Sequence, residues 1–173
     1  TWSRIAWRPD ILGRRVGTWA SHAEYLLDDA PVGFAPQFFA SLQAQTKHLR
    51  RVAKRAPDGA PMIDALAGLA RAEVAFGHTG RHLARVIQLL DHELTTQISP
   101  DGGHFERNPT VHHHALRALV SLRTTLEQAG LEPSVAQQTA IDRMAPMLRF
   151  FRHGDGALAL FNGGLEGPRE AAD

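Results

Sequence analysis

Apolar residues recur every three or four positions along most of this chain, which is the spacing of amphipathic helices. The pattern predicts six helices, over about 8–27, 33–55, 61–77, 79–94, 109–130 and 133–150. Prolines stand at or near several predicted starts, and Gly77 and Gly130 follow two predicted ends, as expected for helix boundaries. Pro146 lies inside the sixth helix and is expected to kink it.

The periodicity changes after residue 153, where glycines and an aspartate interrupt the helical pattern. Ala157–Phe161 is a short apolar run between glycine clusters, and it predicts a short strand near the C-terminus. From Gly163 onward the composition is polar. The interpretation is an all-α chain of antiparallel helical hairpins, because short turns make consecutive helices antiparallel neighbours.

Composition narrows the classes of function. The chain has 173 residues, 43% of them hydrophobic and 21% charged, and no apolar stretch predicts a membrane span. There is no cysteine, which excludes disulfides, cysteine-bound zinc and thiol catalysis. A net charge of +1 argues against a nucleic-acid partner bound through overall basicity. The first residue is Thr1, so the true N-terminus is expected upstream.

Two segments carry a specific resemblance. Residues 97–109 contain Asp101-Gly102, Glu106 and Pro109 in the order DG-x-x-x-E-x-x-P, and residues 147–163 lead from the last helix through a glycine- and aspartate-bearing segment. Together with residues 7–19, they resemble the N-terminal region of bacterial heparinase II/III family proteins.

The resemblance implies that residues 1–153 form part of an incomplete (α/α) toroid and that 154–173 begin a β-rich C-terminal domain. It implies β-elimination on a uronic-acid polysaccharide, which is sulfated in some cases, with no metal or other cofactor. The expected partners are that acidic polysaccharide and the missing β-rich domain of the same protein. The expected location is the cell envelope or periplasm.

The chain departs from the family pattern at two positions, so whether it is an enzyme stays open here. Val111 stands where active members carry a tyrosine that acts as base and acid. The stretch 57–61 holds no asparagine or histidine to neutralise a carboxylate. His112 or His104 would then transfer the proton, because imidazole titrates in a useful range. The alternatives are a carbohydrate-binding or envelope protein without catalysis, and a helical-repeat interaction module.

Candidate substrate-binding residues fall in several places. The connection before the fifth helix offers Glu106, Arg107 and Asn108, which would either form a substrate rim or organise the turn. The end of the sixth helix offers Arg152 and His153, for a groove or for a structural ion-pair network.

Two further arginines complete the candidates. Arg14 lies near the start of the chain, and Arg51 belongs to a stripe on the second helix that also holds Lys47, Arg50 and Lys54. Spacings of three and four place these cations on one helix face. The stripe suits a sulfated or uronate chain, or a solvated surface.

The ten histidines do not predict a metal site. His112, His113 and His114 are consecutive on a helix and point about 100° apart, so they cannot converge on one ion. His78 and His82 have i, i+4 spacing but stand at a helix start without an accompanying glutamate, which favours capping and surface roles.

Overall fold

The computed structural model describes residues 3–165, and the described chain is all α-helical. A 3-10 turn, Ala53–Arg55, follows α3. The seven helices are α1 Pro9–Ser21, α2 Ala23–Leu27, α3 Phe34–Val52, α4 Ala60–Ala75, α5 Arg81–Gln97, α6 Pro109–Gln128 and α7 Val135–Phe150.

The longer helices form two layers. In the inner layer α4 lies between α1 and α6, and in the outer layer α3, α5 and α7 pack behind them. Consecutive helices from α3 to α7 alternate between the layers, and the consecutive pairs α3–α4, α4–α5 and α6–α7 pack against each other across them. This arrangement confirms the prediction of an all-α hairpin stack.

Helix α4 is the centre of the core. Thirteen of its sixteen residues are buried, among them Ile63, Leu66 and Leu69. A helix that is apolar on nearly every side belongs inside a protein, and α4 accordingly packs against α1, α3, α5 and α6.

Glycines bring α1 and α4 into backbone contact. A β-carbon built on Gly13 would lie 2.5 Å from the backbone oxygen of Asp64 and 2.7 Å from the Cα of Ala65. One built on Gly17 would lie 3.0 Å from the Cα of Gly68, and one on Gly68 would overlap the backbone of Gly13. The order of these contacts makes α1 and α4 parallel, and only glycine permits so close an approach.

The structure differs from the sequence-based predictions at both ends of the described chain. The first predicted helix is divided into two helices, α1 and α2, because the backbone at His22 (φ −116°, ψ 19°) leaves the helical region between them. The predicted strand over Ala157–Phe161 was wrong. Its residues fold back on the end of α7 through one isolated bridge, Arg152 with Leu158, and no neighbouring strand extends the pairing.

Two other sequence-based expectations concern the proline inside α7 and the absence of a membrane-spanning helix. Helix α7 continues through Pro146 to Phe150. Within residues 3–165, none of the helices is both long and apolar enough to cross a bilayer.

We expect Gly68→Ala to lower the free energy of unfolding by about 3 kcal/mol, at the upper end of the usual cost of overpacking. The added methyl meets the backbone of Gly13, which cannot move aside as a flexible side chain would. Urea titration followed by circular dichroism measures the change.

Gly154→Ala is the matched control, because a β-carbon at Gly154 meets no atom within 4 Å. In a helix without such a clash, replacing glycine by alanine is expected to raise stability by about 1 kcal/mol, because alanine is the better helix former. A Gly68→Ala protein as stable as the parent would therefore show that the helices do not meet as described.

Candidate functional site

The face of the inner layer that is turned away from the outer layer carries a polar cleft of about 250 Å³. Each of α1, α4 and α6 contributes side chains from more than one turn. We call this set the inner cleft, and its polar members are Arg14, Thr18, Asp64, Arg71, His114, Arg117 and Ser121.

The inner cleft holds more positive than negative charge. Arg14, Arg71 and Arg117 surround a single lining carboxylate, Asp64, and Arg14 Nε lies 3.5 Å from Asp64 Oδ2. Burial raises the pKa of Asp64 to about 6, while Arg14 works in the opposite direction and Asp10 adds to the rise. The cleft is therefore suited to an anion, most strongly when Asp64 is protonated.

Arg71 has donor capacity that the described protein does not use. One terminal nitrogen donates to Ser21 Oγ at 2.7 Å. Its Nε is buried and has no hydrogen-bond partner among the residues described. Desolvation lowers the pKa of this guanidinium, but arginine stays charged at any physiological pH. A buried charged donor of this kind is stabilised by an acceptor supplied from outside.

His114 is affected by the same cations. Burial lowers its pKa first, and Arg14 and Arg117 lower it further. The ring is therefore neutral near pH 7, so it offers one hydrogen-bond donor and one acceptor to a polar ligand.

The two histidines predicted to transfer a proton lie inside the protein, both with 0% of the residue exposed. His104 Nε2 lies 3.0 Å from Gln97 Oε1, and its Nδ1 accepts the backbone N–H of Glu106 at 3.3 Å. His112 Nε2 lies 3.0 Å from the carbonyl oxygen of Met144, and its Nδ1 accepts the backbone N–H of His104 at 3.4 Å.

These contacts fix the protonation of both rings. In each ring Nε2 faces an acceptor and Nδ1 faces a donor, which is the pattern of a neutral Nε2–H tautomer. Burial lowers the pKa of His104 to about 4, with a contribution from His112, and burial also lowers the pKa of His112. Proton transfer by either ring stays a prediction, and the contacts favour a role in holding the connection 98–108 between α5, α6 and α7.

Two of the three candidates next to these histidines, Arg107 and Asn108, form contacts that organise the same connection. Asn108 Oδ1 caps α6 by accepting from the backbone of Thr110 and Val111, and its Nδ2 donates to the carbonyl of Asn162. Arg107 pairs with Asp101 at 2.6 Å. Each has a structural partner here, and substrate binding by either remains a prediction.

Glu106 lies at the start of α4. Its Oε1 is 3.5 Å from the backbone nitrogen of Ala60, so the N-termini of α4 and α6 lie at the same end of the inner layer. The carboxylate thus stands beside 57–61, the stretch where the family pattern places a group that neutralises a substrate carboxylate.

The remaining candidates are dispersed. Arg14 is in the inner cleft. Arg51 is exposed on α3 in the outer layer. Arg152 and His153 belong to the turn after α7, where the His153 backbone N–H donates to the Ala157 carbonyl at 2.9 Å. The structure brings none of these three to Arg14.

Sequence reasoning missed Asp64, Arg71 and Arg117. The signal was present on α4, where Asp64 and Arg71 are two of only three charged residues in an alanine-rich helix and stand seven apart. Spacing of seven places both on one face. In the part of the chain that the structure describes, no three His, Asp or Glu side chains are grouped to hold a metal ion.

Comparisons with known proteins agree with this architecture. The family model described as heparinase II/III N-terminus matches residues 2–166. FtsZ-localized protein C of Caulobacter vibrioides (strain NA1000 / CB15N) is 34% identical over 164 residues, which cover 94% of this chain and 28% of that protein.

Two solved structures of heparinase III, one with methylated lysines, share the fold. Their TM-scores are 0.65 and 0.66 at 21% and 22% identity, and each match covers 90% of this chain and 25% of the other. The chain thus spans about a quarter of the length of these relatives, and the fold is that of part of the heparinase III toroid region.

The low pKa of His104 predicts a pH-dependent stability. An unfolded histidine takes up a proton near pH 6.5, whereas the folded His104 does so only near pH 4. The unfolded state therefore binds more protons between these values, so the free energy of unfolding falls as the pH is lowered through that window. The slope attributable to one histidine is at most about 1.4 kcal/mol per pH unit.

His104→Gln is expected to be less stable at pH 7 and to show a shallower fall between pH 6.5 and pH 4. Asp64 has the opposite effect on the pH dependence, because its raised pKa makes the folded state more stable as the pH falls. The slope of the parent therefore combines both groups, and the effect of His104 is taken from the difference between the parent and His104→Gln. His153→Gln, at an exposed position, is the control. Urea titrations at several pH values measure the slopes, and equal slopes for His104→Gln and the parent would contradict the assignment.

Proposed function

This chain belongs to the heparinase II/III N-terminus family, and we propose that its inner cleft binds an acidic polysaccharide without cleaving it. The observation that carries the proposal is the excess of guanidinium groups there. Arg14, Arg71 and Arg117 surround only Asp64. Guanidinium groups bind carboxylate and sulfate through paired hydrogen bonds, and these are the anionic groups of uronate and sulfated polysaccharides.

The position of the cleft supports a polymeric ligand. Its lining comes from three parallel helices, and arginines from α1, α4 and α6 follow one another across the inner layer. A chain with an anionic group on successive sugars would meet them in turn. Thr18 and Ser121 at the same face offer hydroxyl groups for the sugar hydroxyls.

Three observations support binding without β-elimination. Val111, at the tyrosine position of the family pattern, is half-buried and has no proton to exchange. His104 and His112 are fully buried. Glu106 places a carboxylate beside the start of α4, where it would repel the substrate carboxylate that the reaction needs to neutralise.

We expect Arg117→Ala to weaken binding of a uronate polymer about tenfold at low salt, the size of effect typical for a charged hydrogen-bond partner. Titration calorimetry on the full-length protein, with sulfated and unsulfated uronate polymers, measures the affinity. Arg149→Ala, at an exposed position on α7 in the outer layer, is the matched control and should bind like the parent.

Two results would decide against this function. Equal binding of neutral dextran would show that charge does not select the ligand. Formation of an unsaturated uronate product, followed by its ultraviolet absorbance, would show that the protein cleaves the polymer.

A second candidate function rests on the relative from Caulobacter vibrioides, whose name describes localisation with FtsZ. The two sequences align over nearly the whole of this chain. On this candidate, the full-length protein gathers with FtsZ in the dividing cell, and the toroid region contributes binding rather than catalysis.

We expect a fluorescent fusion of the full-length protein to coincide with labelled FtsZ in dividing cells. The same imaging, combined with cell fractionation, tests the cell-envelope location that the family resemblance implies. A fusion spread evenly through the cell at all stages of division would exclude the second candidate and leave polysaccharide binding to be judged by calorimetry.

A further inference from the structure

The outer layer contains a groove that the proposed polysaccharide site does not use. It lies between the C-terminal part of α3 and the first half of α5, over α4, and has a volume of about 380 Å³. We call it the outer groove. Its floor is aliphatic and is formed by Leu66 and Leu69 of α4 with Val86 and Leu89 of α5.

The rim of the outer groove is basic. Lys54 follows α3, and His82 and Arg85 lie on the first turns of α5. Within residues 3–165 neither Lys54 nor Arg85 forms an ion pair with a carboxylate. Their charges are therefore available to a ligand above the aliphatic floor.

The one acidic group in the lining is already neutralised. Glu73 is fully buried, and both oxygens of its carboxylate accept hydrogen bonds from Arg50, one from Nε and one from Nη2. A buried carboxylate that is paired with a guanidinium in this way has its charge balanced. It does not repel an incoming anion, so the outer groove as a whole attracts negative charge.

We infer that the outer groove binds an acidic peptide segment of a partner protein, one that places leucine- or phenylalanine-type side chains on the floor and carboxylates on the rim. Charge complementarity decides the acidic character, and the aliphatic floor decides the apolar side chains. The contact along α5 runs from His82 to Leu89, about two helical turns, which matches a short segment.

The lining argues against other macromolecules. Leucine and valine side chains on the floor offer no hydrogen bonds to sugar hydroxyls. Among the described residues, no Trp, Tyr or Phe ring lines the outer groove to stack a nucleic-acid base. A membrane surface would meet the rim but leave the recessed floor unused, because interfacial binding needs a protruding apolar face.

Selection from a displayed library of random 16-residue peptides on the full-length protein tests this inference. We expect the enriched peptides to combine Asp or Glu with Leu or Phe. The best of them is then synthesised with a fluorescent label, and its affinity is measured by fluorescence anisotropy. Enrichment of basic or uncharged peptides, or no enrichment, would overturn the inference.

Variants locate the binding. Lys54→Glu combined with Arg85→Glu should weaken the selected peptide at least about tenfold, and Leu89→Gln should weaken it through the floor. Arg117→Ala in the inner cleft is the matched control and should leave peptide binding unchanged. Circular dichroism checks folding of each variant, and Lys54→Gln alone replaces the double variant if that one unfolds.

Competition separates this site from the polysaccharide site. A uronate polymer should not displace the peptide, and the groove variants should still bind the polymer, so each proposal fails by its own measurement. Displacement of the peptide by the polymer, or by vesicles of equal parts phosphatidylglycerol and phosphatidylcholine, would assign the outer groove to that ligand and overturn the inference. So would undiminished binding by the charge-reversed variant.

Discussion

The backbone contact between α1 and α4 is the constraint on which the inner layer depends. Gly13 and Gly17 meet Asp64, Ala65 and Gly68 with no room for a β-carbon. Such contact fixes both the separation and the register of two parallel helices, because interlocked backbones do not slide. It therefore sets where Arg14 stands relative to Asp64, and the charge balance of the inner cleft follows from how two helices pack.

A second constraint is the pair of buried histidines. Both ring nitrogens of His104 and of His112 form hydrogen bonds, with Gln97, with Met144 and with the backbone of the connection before α6. A neutral imidazole with one donor and one acceptor suits a crowded junction, where a charged side chain would lose its hydration. These contacts favour a structural role for both rings, and proton transfer by either of them stays a prediction.

The sequence permitted the helices and their order to be predicted, because periodicity reports which side of a helix is buried. It also placed Arg14 among the candidates. It did not predict the full burial of His104 and His112, since burial depends on residues from α5 and α7 that periodicity does not bring together. The strand prediction over Ala157–Phe161 failed because an apolar run needs a partner strand to become a sheet, and here it meets only the end of α7.

The two concentrations of positive charge differ in what lies beneath them, and that difference argues for different ligands. In the inner cleft the arginines stand beside hydroxyl groups, a carboxylate and His114, all of which are able to form hydrogen bonds with a hydrated ligand. In the outer groove the cations surround leucines and a valine, and the one carboxylate is paired. Equal attraction of anions would not distinguish a sugar acid from an acidic peptide. The apolar floor distinguishes the two ligands. A sugar would lose hydrogen bonds to water when it contacts leucine, whereas burial of an apolar side chain there is favourable.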